Sequence, residues 1–144
     1  MLAGLSRKRM LAVGVVLVAV VTAVWLAPLA WAKISINTID PTATLKANGR
    51  LITVTGPVAT DTAQPVFMRV TVTQRSTGAM AEGYASFTGT VLPQQWTVQA
   101  RTIGAKSFDS GPATVVALAQ TKVQGLPDDA HQWLVNVTLV KRAD

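Results

Sequence analysis

The sequence predicts an all-β fold, an antiparallel β-sandwich of about six or seven strands behind an N-terminal signal or transmembrane helix. Three observations lead there. From Arg50 onward apolar residues recur with period two in short runs, the mark of strands with one buried face. Glycine, proline and aspartate punctuate those runs at short intervals, as turns do. No helical i, i+3, i+4 apolar pattern follows residue 33.

The first element is the leader, residues 1–32. Arg7, Lys8 and Arg9 form a positive end, Met10 to Leu29 carries no charge, and the run closes on Pro28 and Ala30-Trp31-Ala32. Basic, apolar and A-x-A regions in that order describe a secretory signal peptide, with cleavage between Ala32 and Lys33. The alternative is a retained anchor spanning residues 10–29, since a span needs roughly 20 apolar residues and Trp25 and Trp31 suit a membrane interface. Cleavage is favoured by the A-x-A ending and Pro28, and both readings place residues 33–144 outside the cytoplasm. No cysteine follows the cleavage site for a lipid anchor, and Lys8 separates Arg7 from Arg9, so a twin-arginine signal does not fit.

Residues 33–48 read as an extended lead-in, with an edge strand at Lys33–Thr38. The remainder, 49–144, is the sandwich domain. Its first run, Arg50–Thr55, stops at Gly56-Pro57. Val66–Arg75 is the clearest strand, with Val66, Met68, Val70 and Val72 on one face and Arg69, Thr71 and Thr73 on the other. Ser76-Thr77-Gly78 suits a hairpin turn that needs a positive φ. Ala79–Thr88 returns, with Gly83 as a bulge. Trp96–Ile103 alternates with Trp96, Val98 and Ala100 together. Gly104–Pro112 is a loop, and the apolar Ala113–Val123 is a central strand. Gln124–Asp129 is a turn, and His131–Lys141 closes the domain with Trp133, Val135, Val137 and Leu139 on one face.

The 13 bases, seven acids and single histidine give a net charge of +6. Three of the bases lie in the leader, leaving ten against seven, a net +3, for residues 33–144. Those bases are scattered singly along the chain, which argues against nucleic acid as a partner because that calls for a basic stripe. With no cysteine there are no disulfides, thiolate metal sites or cysteine nucleophile, and packing alone must hold the domain.

Residues 96–140, read as strand, corner loop, central strand, hairpin and closing strand, resemble the last three strands of an immunoglobulin-like or fibronectin-type domain. Phe108-Asp109-Ser110-Gly111 stands where such domains carry an acidic corner turn. The cysteine pair and the tyrosine corner of that family are absent. The whole chain is also similar to small exported bacterial proteins of unknown function. The resemblance implies a sandwich and no activity.

Asp128, Asp129 and His131 are the one cluster of potential ligands. Pro-Asp-Asp is ordinary turn chemistry, and one histidine beside adjacent aspartates lacks a distinctive metal spacing, so the turn reading is preferred over a metal or acid/base site. No G-x-S-x-G elbow or phosphate loop is present, and Glu82 is the only glutamate. Asn136-Val137-Thr138 matches a glycosylation sequon by chance within a strand. Trp96 and Trp133 share the inward face and belong to the core, whereas Tyr84 is the aromatic expected on the surface. The chain is therefore expected to be a non-catalytic extracytoplasmic binding or structural module of the cell envelope, without cofactor. Its protein partner would be met through loops near Thr60–Gln64, Gly104–Pro112 and Gln124–Ala130, or through an edge strand. An anchored single-span subunit of an envelope complex is the alternative, and a small metal-dependent enzyme the third reading.

Overall fold

The computed structural model describes residues 34–143; the expectations for the leader, including cleavage at Ala30, Ala32 and Lys33, lie outside the described residues. Eight strands follow in order: β1 (Ile34–Asn37), β2 (Thr42–Lys46), β3 (Leu51–Thr60), β4 (Gln64–Gln74), β5 (Ala79–Gly89), β6 (Gln94–Thr102), β7 (Gly111–Val123) and β8 (Leu126–Lys141), with a short 3₁₀ turn at Ala47–Gly49. Among the described residues no helix is long and apolar enough to cross a membrane.

These strands close on themselves. The sheet runs β3-β2-β8-β7-β4-β5-β6, and β6 pairs back to β3, making a seven-stranded barrel with β1 added on the outer edge of β3. The expected immunoglobulin-like sandwich is thereby corrected, because a sandwich keeps two separate sheets and here one sheet joins its own ends. The finding that overturns it is the ladder of eight consecutive pairs between β3 and β6, from Leu51↔Arg101 to Val58↔Gln94.

The closure has a parity requirement. A ring with an odd number of strands cannot alternate direction all the way round, so at least one neighbouring pair must be parallel. That pair is β2 with β8, in register from Thr42↔Thr138 to Leu45↔Lys141, while the other six contacts of the ring are antiparallel. The purely antiparallel arrangement expected from sequence is corrected for the same reason.

The lead-in is part of the wall. β1 and β2 lie end to end along one edge of β3, at Asn37↔Val58 and Thr44↔Thr53, bridged by the Thr38 and Asp40 amides, which donate to the Pro57 and Thr55 carbonyls. β3 therefore continues through Gly56-Pro57, where a stop was expected. Proline is tolerated because its missing donor sits at the interruption between β1 and β2. Gly56 is required there: an added Cβ would overlap the Thr38 carbonyl and the Trp96 indole. Gly83 is no bulge, since β4 and β5 stay in register from Gln64↔Gly89 to Gln74↔Ala79. It makes room for the backbone of Gln99 and Ala100.

Alternation fills the barrel. Val66, Met68, Val70 and Val72 of β4, Trp96, Val98 and Ala100 of β6, and Val115, Ala117 and Ala119 of β7 are all buried. Gly56, paired with Trp96 across β3 and β6, leaves room for its indole, whose Nε1 donates to Asn37 Oδ1 at 3.1 Å. Full burial of each large apolar side chain contributes about 1.5–3 kcal/mol, which answers the lack of disulfides.

Phe108 plugs the end of the barrel where β3 and β7 begin. It is 1 % exposed, and its amide donates to the Gly49 carbonyl at 2.9 Å. Gln74 holds the adjoining corner with both halves of its amide. Its Nε2 donates to the Asp109 and Pro112 carbonyls, and its Oε1 accepts from the Asp109 amide and the Thr77 hydroxyl. In the segment expected to be an acidic corner turn, Phe108 is thus a buried plug, while Asp109 and Ser110 stay exposed.

Candidate functional site

The same alternation that buries four residues of β4 turns Phe67 and Arg69 outward. Register then fixes their neighbours: Phe67 lies between Ser86 of β5 and Gln120 of β7, and Arg69 between Tyr84 and Leu118. These six side chains, with Met68 and Ala85 beneath, line an open groove of about 510 Å³ on the outer wall. Tyr84 is 69 % exposed and Phe67 39 %, both high for aromatic rings, which more commonly bury most of their surface.

Charge is arranged around the rings. Arg69 Nη2 lies 2.5 Å from Glu82 Oε1, and its guanidinium stands 5.9 Å from the Tyr84 ring centre. The Tyr84 hydroxyl donates to the same carboxylate oxygen at 2.7 Å. At the other ring the Lys122 ammonium sits 4.7 Å from the centre of Phe67. The Tyr84 hydrogen bond, helped by Arg69, holds the Glu82 carboxyl below its ordinary range against a smaller opposing effect of desolvation. The same bond pushes the Tyr84 hydroxyl up, because donating to the carboxylate stabilises the protonated phenol. The wall can therefore offer two aromatic surfaces and a set of fixed donors and acceptors to a ligand lying across three strands.

Tyr84 is where the sequence placed it, on the surface. Its partners were missed, although Phe67 was visible as an aromatic residue on the face that Arg69, Thr71 and Thr73 mark as wet. Trp96 is core as expected. Trp133 is half-buried at the wall and stacks on His131, with centroids 5.7 Å apart.

Asp128, Asp129 and His131 lie on β8 itself. The turn expected over Gln124–Asp129 is only Gln124-Gly125, with Val123 paired to Leu126. Thr121 pairs with Asp129 and Lys122 with Pro127, so Asp128 is the extra residue of a bulge. Asp129 and His131 share a face, with His131 Nε2 3.3 Å from Asp129 Oδ2. That oxygen also accepts from the Ile34 amide, fastening β1 to β8 where no ladder joins them. Among the described residues no three His, Cys, Asp or Glu side chains gather as metal ligands. Of the expected contact loops, Thr60 and Gln64 are buried, while residues 61–63, 104–107 and 124–126 are exposed apart from the half-buried Ser107.

No protein family and no curated protein sequence matches the chain.

Proposed function

We propose that this chain is a non-catalytic binding module that works outside the cytoplasm and takes its ligand on the outward face of β4, β5 and β7. The groove between Phe67 and Tyr84 carries this reading. It is the place on the described surface where aromatic area, a carboxylate, a guanidinium and an ammonium converge, and sites of such mixed lining and size are typical of ligand sites. β4 and β7 are each paired along both edges, so recognition there would use side chains on a stiff wall rather than an added strand.

A photo-reactive amino acid placed at position 84 in the native host tests this, with position 97 on the exposed face of β6 as control. A discrete cross-linked product at 84 and none at 97 is expected; equal labelling of the two overturns the assignment of the face. Intact mass and fractionation of the same material test location. A chain beginning at Lys33 in the external fraction fits a free module, and a full-length chain in the membrane fraction fits an anchored subunit.

A further inference from the structure

The bases scattered along the sequence meet in space. The end of the barrel plugged by Phe108 collects Lys46 at the end of β2, Arg50 before β3, Arg75 after β4, Lys106 between β6 and β7, and Lys141 and Arg142 at the end of β8. Contacts link them into an arc. Lys46, Lys141 and Arg142 line one cleft of about 210 Å³ around the Ala47–Gly49 turn. Arg50 donates to the Gly104 and Ala105 carbonyls, and the Lys106 side chain reaches over Gly78 in the β4–β5 turn. Among the described residues Asp109 is the one carboxylate in these terminal loops, and no salt bridge to any of the six cations is found among them. The opposite end carries Asp61, Asp128 and Asp129 against Lys122 among the described residues, so the barrel is electrically polar along its axis.

We propose that this basic end docks on an anionic lipid surface. A concentrated arc of cations attracts any polyanion; what selects a lipid surface is the apolar pair beside it. Ile103, the first residue after β6, is 53 % exposed and Met80 45 %, and the Ile103 amide donates to the Met80 carbonyl at 2.8 Å, so the two stand together. A soluble polyanion would leave both in water. A bilayer would accept them below its head groups while the cations meet phosphates, the combination by which peripheral proteins bind. The cleft between Lys46, Lys141 and Arg142 has room for one phosphate head group.

The test is vesicle co-sedimentation of the chain purified from its host, comparing phosphatidylglycerol-containing with pure phosphatidylcholine vesicles. Arg7, Lys8 and Arg9 would add to a preference for the anionic vesicles if the leader is present, so the barrel's charged end is read by substitutions that leave the leader untouched. Tighter binding to the anionic vesicles, falling steeply with added salt, is expected. Lys46→Gln, Lys141→Gln and Arg142→Gln together should weaken it about a hundredfold, at about 1 kcal/mol per base. Ile103→Ser should weaken it further at unchanged charge, and Tyr84→Ala, on the groove wall, should leave it intact. Melting temperatures of the exposed-residue variants confirm folding. Equal binding to both vesicle types overturns the proposal. So does binding of soluble polyphosphate that competes fully and is indifferent to Ile103→Ser, which would assign the end to a soluble polyanion.

Discussion

At the residue scale, two side chains carry consequences out of proportion to their size. Gln74 is 2 % exposed, yet every polar atom of its amide is used, so it spans the corner between β4 and the start of β7 as a backbone segment would. Gln74→Leu keeps the volume and strips the Asp109 amide and two carbonyls of their partners. A loss of about 2 kcal/mol is expected in urea unfolding, with the Phe108 plug loosened first. Tyr84 acts instead through a proton. Because the Glu82 carboxyl is held below its ordinary value of 4.5, its ionised form favours the folded state above that pH, and the benefit is lost as pH falls through the lowered value. Tyr84→Phe removes the largest cause of the lowering. The Glu82 titration, followed by carboxyl ¹³C shifts, should then move upward toward 4.5, and the share of acid destabilisation that Glu82 contributes should shrink with it; an unmoved titration would show that Arg69 alone sets it.

At the element scale, the long β7–β8 hairpin turns on two residues, Gln124 at φ 52° and Gly125 at φ 77°. Two left-handed residues make the tight turn whose twist suits paired strands. Glycine meets that demand freely and glutamine poorly. Gln124→Asn should stabilise the chain by ~0.5 kcal/mol in thermal melts, whereas Gln124→Val should lower the melting temperature. Strands of this kind were legible from sequence: the alternation of Val66 to Val72 and of Trp133 to Leu139 names the buried faces correctly. The short ones were not. Thr42–Lys46 buries only Ala43 and Leu45, too brief a pattern to separate from an extended lead-in, and Gly56-Pro57 reads as a stop unless the gap in the neighbouring strand is known. The groove was half legible. Tyr84 stood out as a lone aromatic, but Phe67, Gln120 and Lys122 become its neighbours only through the register of three strands distant in sequence.

At the scale of the whole molecule, a barrel and a sandwich share their alternation and differ in whether the ends of the sheet meet. That meeting rests on pairings such as Thr42↔Thr138, which leave no local trace, and the immunoglobulin-like reading failed there. Likewise the basic arc is invisible in a sequence whose lysines and arginines stand apart, because three connections and the end of β8 meet at one end of a cylinder. The parallel β2–β8 ladder has a mechanical meaning as well. Its strands belong to opposite ends of the described chain and point the same way, so tension applied between residue 34 and residue 143 slides one strand past the other. All the bonds of the ladder would then share the load and fail together. Pulling from residues 48 and 142, both at the basic end, peels the same strands apart one bond at a time. Single-molecule stretching should accordingly record one high rupture force in the first geometry and a much lower one in the second. A domain tethered at one end and loaded at the other would act as a clasp that holds under strain.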